Sequence, residues 1–163
     1  METENTEVKL PPDIFPSTGD WDTYLEEIHR IFLETLANKE ITFCNLPVRL
    51  KKNPEYKDKS FSFWHLISEG EKEEERTPDF RRCERLGWIH WVIENAKSNK
   101  SISCWENDRG RNTHVVIWFE DESYVVILAK RKDYFLLKTA YPAEPHRAEV
   151  FRREKTEKRN YIF

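Results

Sequence analysis

The sequence predicts an α+β fold in which N-terminal helices pack on a single four- to five-stranded antiparallel sheet, followed by a C-terminal helix. Three observations point there. Apolar residues recur at helical spacing in residues 20–38 and again in 78–97. Three short apolar runs, His114–Phe119, Tyr124–Leu128 and Tyr134–Tyr141, are separated only by brief charged turns. The order of elements is helix, hairpin, helix and then three strands, which reads as α+β with one antiparallel sheet packed on helices.

Taken in order, residues 1–19 are polar and carry Pro11, Pro12 and Pro16. They read as a flexible N-terminal arm, with residues 20–163 forming one domain. In the first helix Tyr24, Ile28, Ile31, Phe32 and Leu36 make one apolar face, and Asn38 is its expected end. Residues 46–51 and 60–67 read as a hairpin with a long loop, Pro47 confining its strand to an edge or a start. Residues 69–76 form an acidic loop. Thr77-Pro78-Asp79 then supplies a cap, a proline at the first helical position and an acid in the first turn, so a helix is expected from Pro78 to about Lys97. Gly87 inside it costs roughly 1 kcal/mol against alanine, which close packing would compensate. After a polar link the three apolar runs form a meander, and residues 144–159 form a basic, weakly amphipathic helix.

Composition removes several classes of function. Four glycines exclude extended Gly-rich phosphate loops, and no apolar run approaches the roughly 18–20 residues of a membrane span. The start, Met1-Glu2-Thr3-Glu4, has no apolar stretch behind it, so no signal peptide is read. Cys44, Cys83 and Cys104 are widely spaced, with no CxxC unit. They read as reduced thiols of a cytoplasmic protein, and neither a metal site nor a cofactor is expected.

The chain has 27 Lys and Arg against 30 Asp and Glu, a net −3. That balance argues against a nucleic-acid protein, but it is unevenly spread. Residues 128–163 hold 10 basic and 5 acidic residues, a net +5, which leaves −8 for the rest. Any contact with phosphates must therefore be local.

Among the five histidines no pair has the spacing of a helical metal site. His65 interrupts the apolar run Phe63-Trp64-His65-Leu66-Ile67. It reads either as a core histidine satisfied by an internal hydrogen bond or as a proton-transfer group. Arg81, Arg82 and Arg85 share helical faces and suit a phosphate clamp, their alternative being pairing with the Glu71–Glu75 run. Thr139 and Tyr141 project to one face of the last strand and Lys138 to the other. Thr139 and Tyr141 read either as a phosphate-holding hydroxyl pair, with Tyr141 stacking on a base, or as ordinary strand packing.

These pieces occur in a recognisable order: Phe63-Trp64-His65-Leu66-Ile67-Ser68, an acidic stretch, Arg81-Arg82-Cys83-Glu84-Arg85-Leu86-Gly87-Trp88, Tyr124-Val125-Val126-Ile127-Leu128, and Leu137-Lys138-Thr139-Ala140-Tyr141-Pro142. The set resembles the barnase/EndoU/colicin/RelE-like nucleases of phages and mobile elements over residues 41–155, with Thr139-Ala140-Tyr141-Pro142 the most specific motif. The resemblance implies helices packed on a four-stranded antiparallel sheet with RNA across the open face. It also implies metal-independent ribonuclease activity, toxin-like roles, and an antitoxin or immunity protein as a possible partner. Carried over by motif, His65, Arg82, Arg85, Thr139 and Tyr141 are the expected catalytic set; Arg81 of the same cluster, with Lys130 and Lys138 from the basic C-terminal third, is expected to bind RNA. The competing expectation is a non-catalytic interaction protein of a mobile element, its acidic segments docking a basic partner.

Overall fold

A computed structural model of the chain describes residues 10–70, 72, 75–157 and 162, without the side chain of Arg109. Of the polar arm, residues 1–9 lie outside the described set. The remainder is held on the helices: Phe15 N donates to Glu84 O (2.9 Å), Trp88 Nε1 to Pro12 O (2.7 Å) and Tyr24 Oη to Phe15 O (2.7 Å).

Helix α1 (Trp21–Phe32) starts at Asp20, whose carboxylate accepts from Thr23 N, and buries Tyr24, Ile28 and Phe32. A wider π turn, Leu33–Ala37, ends at Asn38 as the sequence leads one to expect. Strands β1 (Thr42–Phe43) and β2 (Leu46–Arg49) form a tight hairpin through Cys44 and Asn45, both at positive φ. Residues 60–67 are not the expected strand. They form helix α2 (Phe61–Ile67), because Ser60 Oγ caps Phe63 N (3.3 Å) and Phe63, Leu66 and Ile67 share one buried helical face. The apparent alternation of Ser60-Phe61-Ser62-Phe63 conceals that three- and four-residue spacing.

A short ribbon follows, β3 (Ser68–Glu69) against β4 (Thr77–Pro78). The expected helix over 78–97 is two helices, α3 (Phe80–Glu84) and α4 (Trp88–Asn95), with a turn at Arg85–Gly87. Its cap is Asp79, not Thr77: Asp79 Oδ1 accepts from Arg81 N at 2.9 Å. Gly87 sits at the start of α4, and a Cβ there would meet only Ile31 Cγ2 at 3.8 Å. The glycine thus marks a break between helices and not the close packing its position suggested.

The sheet is six-stranded and mixed, in the order β1-β2-β8-β7-β6-β5, which corrects the expected four to five antiparallel strands. The meander is present as β6 (Asn112–Phe119), β7 (Tyr124–Lys130) and β8 (Phe135–Pro142). Strand β5 (Ile102–Arg109) was hidden in a segment that reads as polar, although Ile102, Cys104 and Trp105 are buried. Among the described residues, one parallel pairing joins β2 to β8, Val48 opposite Phe135. Helix α5 (Pro145–Glu157) follows β8 directly. Lys158 and Arg159 of the expected helix lie outside the described residues.

The sheet separates two cores. Helices α1–α4 cover one face, with Phe63, Leu66, Ile89, Val115, Ile117, Val126, Leu128 and Leu137 among the buried residues. On the other face α5 lays Ala148 and Phe151 over Trp105, Val116, Trp118, Val125 and Ile127. Among the described residues no helix is long and apolar enough to cross a membrane.

Candidate functional site

Where β8 ends, Pro142 stops the strand and Pro145 starts α5 three residues later, so the first turn of α5 lies over the strand end. Helix α3 and the β3–β4 ribbon close the other side. The result is an open cleft of about 550 Å³, lined by Arg81, Arg82, Tyr141, His146 and Arg147 together with Phe80 and the carboxylates Glu69, Asp79 and Glu144.

Two of the arginines are held differently. Arg82 is largely buried: Nη1 donates to Ser68 O (2.8 Å), Nε lies 3.3 Å from Asp79 Oδ2 outside hydrogen-bond geometry, and Cζ sits 5.0 Å from the centre of the Tyr141 ring. The stack and the two oxygens fix its plane at the cleft wall. Arg81 instead meets Glu144 at 2.6 Å with both side chains at least half exposed, 50% and 64%. Such a pair is worth about 0–1 kcal/mol, so another anion can replace the carboxylate. Arg147 lies over Phe151, 4.9 Å from its ring centre. The N-terminal end of α5 adds partial positive charge to the same corner.

No family model, curated protein or solved structure matches this chain.

The structure therefore gathers Arg81, Arg82 and Tyr141 from the sequence-expected set and adds His146, Arg147 and Phe80. The missed residues had a legible signal: a strand end followed at once by a Pro-initiated helix puts that helix's first side chains beside the strand's last ones. The other expected residues are elsewhere. His65 is on α2, not in a strand, and lines the neighbouring cleft across Pro78. Arg85 turns away, donating to Arg81 O (3.2 Å), meeting Glu84 at 3.4 Å and lying 5.3 Å over the Trp88 ring. Thr139 shares Tyr141's face but pairs with Ile127, outside the cleft lining. Lys138 is exposed at a bulge, where Ile127 pairs with Thr139 and Leu128 with Leu137. Lys130, at the far end of β7, is joined to Glu106 at 2.9 Å.

Burial governs the thiols. It pushes Cys83 and Cys104 up to about 12, so neither is a ready nucleophile near neutral pH.

Proposed function

We propose that this protein is an endoribonuclease that cleaves RNA by 2′-OH transesterification without a metal, and that its phosphate site is the cleft between α3 and the β8–α5 corner. The observation that carries the proposal is that three arginines, an imidazole and a tyrosine line one open cleft. The scissile phosphate displaces Glu144 from Arg81 and is held by Arg81, Arg82 and Arg147. Tyr141, already stacked on Arg82, orients the nucleotide. His146 takes the proton of the ribose 2′-OH as its oxygen bonds to phosphorus. The bond to the 5′ oxygen breaks, that oxygen takes a proton from solvent water in the open cleft, and the products are a 2′,3′-cyclic phosphate and a 5′-hydroxyl end.

The test is cleavage of RNA in EDTA beside an all-deoxy strand of the same sequence. RNA should be cut and DNA should not. His146→Ala should lower the rate by about 10²-fold or more, and Arg81→Ala by a similar factor through lost charge stabilisation. Both residues are exposed, so the fold should survive either change. His65→Ala should cost less. If His65→Ala abolishes cleavage while His146→Ala is silent, proton transfer belongs to the other cleft.

One observation favours a second reading, a non-catalytic binding protein: Arg81, Arg82 and Arg85 each already face a carboxylate. RNA bound and shifted on a gel without any cyclic-phosphate product would decide for it.

A further inference from the structure

Across Pro78 from the arginine cleft lies a second one, of about 530 Å³, walled by Tyr56, Phe61, Trp64, His65, Pro54 and Pro78. Its walls are mostly aromatic, with Glu55 and Arg76 also in the lining, and further cations stand beside the rings. The His65 ring lies on Phe61 at 4.0 Å between centres and 28° between planes, and Lys51 Nζ stands 4.3 Å from the same Phe61 ring. Tyr56, 60% exposed, carries Lys57 Nζ at 5.4 Å and meets the Trp64 ring at 5.5 Å. Trp64 is anchored by its own indole, Nε1 donating to Tyr56 O at 2.8 Å. Among the described residues neither Lys51 nor Lys57 has an ion pair. Two unpaired cations on two aromatic rings form a surface that complements phosphates and bases together.

The two clefts are structurally joined. Ser68 O accepts from Arg82 Nη1 (2.8 Å) on one side and from Arg76 Nη2 (2.7 Å) on the other. Arg76 also donates to His65 O (3.2 Å) and Gly70 O (2.8 Å), tying the ribbon to α2. A chain whose phosphate sits on Arg81 and Arg82 has only the ribbon to cross before reaching the aromatic walls.

We infer that the His65 cleft is a binding subsite for an unpaired nucleobase of the RNA whose phosphate occupies the arginine cleft, which makes single-stranded RNA the substrate class. The inference rests on the ribonuclease reading of the neighbouring cleft. A base in a duplex keeps both its faces stacked and cannot lie against the exposed aromatic wall, whereas a splayed base gains a new stacking partner. Lys51 and Lys57 hold the phosphates on either side of it.

The experiment uses the full chain and fluorescence anisotropy with labelled 2′-O-methyl RNA hexamers, which cannot be cleaved. One set is single-stranded, one is the same sequence in a duplex, and one moves a single abasic position along the strand. Wild type should bind the single strand more tightly than the duplex and be sensitive to the abasic change at one position only. Trp64→Leu should weaken the intact hexamer about tenfold and leave the hexamer lacking that one base unaffected. Lys57→Ala, fully on the surface, should weaken both slightly and flatten the salt dependence. Arg82→Lys should weaken every single-stranded hexamer alike. Loss of binding in Arg82→Lys with none in Trp64→Leu, or a duplex bound as tightly as the single strand, overturns the subsite and leaves the phosphate cleft standing. Wild type that binds no hexamer overturns both.

Discussion

The two faces of the sheet are stabilised in different ways. Under α1–α4 the contact is mainly apolar, with Ser62, Ser68 and Asn95 buried at its margins: Phe32, Phe63, Leu66, Ile67 and Ile117 are essentially without solvent exposure and belong to one continuous core. Under α5 the helix contributes only Ala148 and Phe151 as buried residues, against a sheet surface that presents two tryptophans. Polar contacts complete that attachment. Trp105 Nε1 donates to Glu154 Oε1 at 2.8 Å, Trp118 Nε1 donates to Glu120, and Glu120 holds Arg152 at 2.7 Å. The first face is the folding core. The second is a helix fastened over indoles, and it is this lightly attached helix that carries His146 and Arg147 into the arginine cleft.

The largest test of that contrast is truncation of one phenylalanine on each face. Phe63→Ala should cost about 3–5 kcal/mol in urea denaturation, because Phe32, His29 and Trp64 all pack on its ring and a cavity would remain. Phe151→Ala removes a ring that is equally buried, yet its effect should stay local. Amide exchange should rise across α5 while the β6–β8 amides keep their protection, and tryptophan emission should shift to the red as Trp105 and Trp118 meet water. Equal loss of protection across the whole sheet in Phe151→Ala would mean that α5 is part of the folding core after all.

A smaller effect tests the polar fastening alone. Glu154→Ala leaves the buried Trp105 indole N–H without its acceptor, a loss of about 1–3 kcal/mol. It should appear as faster exchange in the second half of α5 and as no change in the apolar face. If α5 protection is unchanged, the indole–carboxylate contact is incidental and burial of Phe151 holds the helix by itself.

The same contrast explains what was legible in the sequence. Elements whose pattern reflects one buried face were readable: α1 from Tyr24, Ile28 and Phe32, and the meander from its apolar runs and charged turns. Elements shaped by both faces, or by one cap, were not. In β5, Cys104 faces the helices and Trp105 faces α5, so consecutive residues are buried and no alternation appears among the polar neighbours. Helix α2 depends on a single Ser60 cap in a segment whose residue types favour a strand. The parallel β2–β8 pairing joins residues nearly ninety positions apart in the chain, beyond the reach of any local pattern. Of the site, Arg81, Arg82 and Tyr141 were recognisable by chemistry. Placing His65 required knowing that its segment was helical, and finding His146 required knowing which helix end follows the strand.

The smallest effect separates the faces by acid. On the helix side burial holds His29 below its ordinary value of 6.5, with Lys59 adding to the shift and Glu26 opposing it. Burial and Lys39 do the same to His90, which Glu94 opposes. The unfolded chain takes up these protons as pH falls through 6.5, while the folded chain refuses them until lower pH. Stability from this face is therefore complete above 6.5 and declines below it. Glu120 behaves in the opposite range. Burial alone would raise it, but hydrogen bonds from Arg152 and Trp118 outweigh that and hold the carboxyl below 4.5. Its contribution to the α5 attachment is present above 4.5 and is lost only as pH falls below that value. Between pH 7.5 and 5.5, urea denaturation should show a falling stability that His29→Gln and His90→Gln flatten. Over the same interval the Trp118 indole N–H resonance should stay in place, moving only below pH 4.5. An indole signal that moves together with the histidine transition would show the two faces to be one cooperative unit, and the division of labour drawn between them would fail.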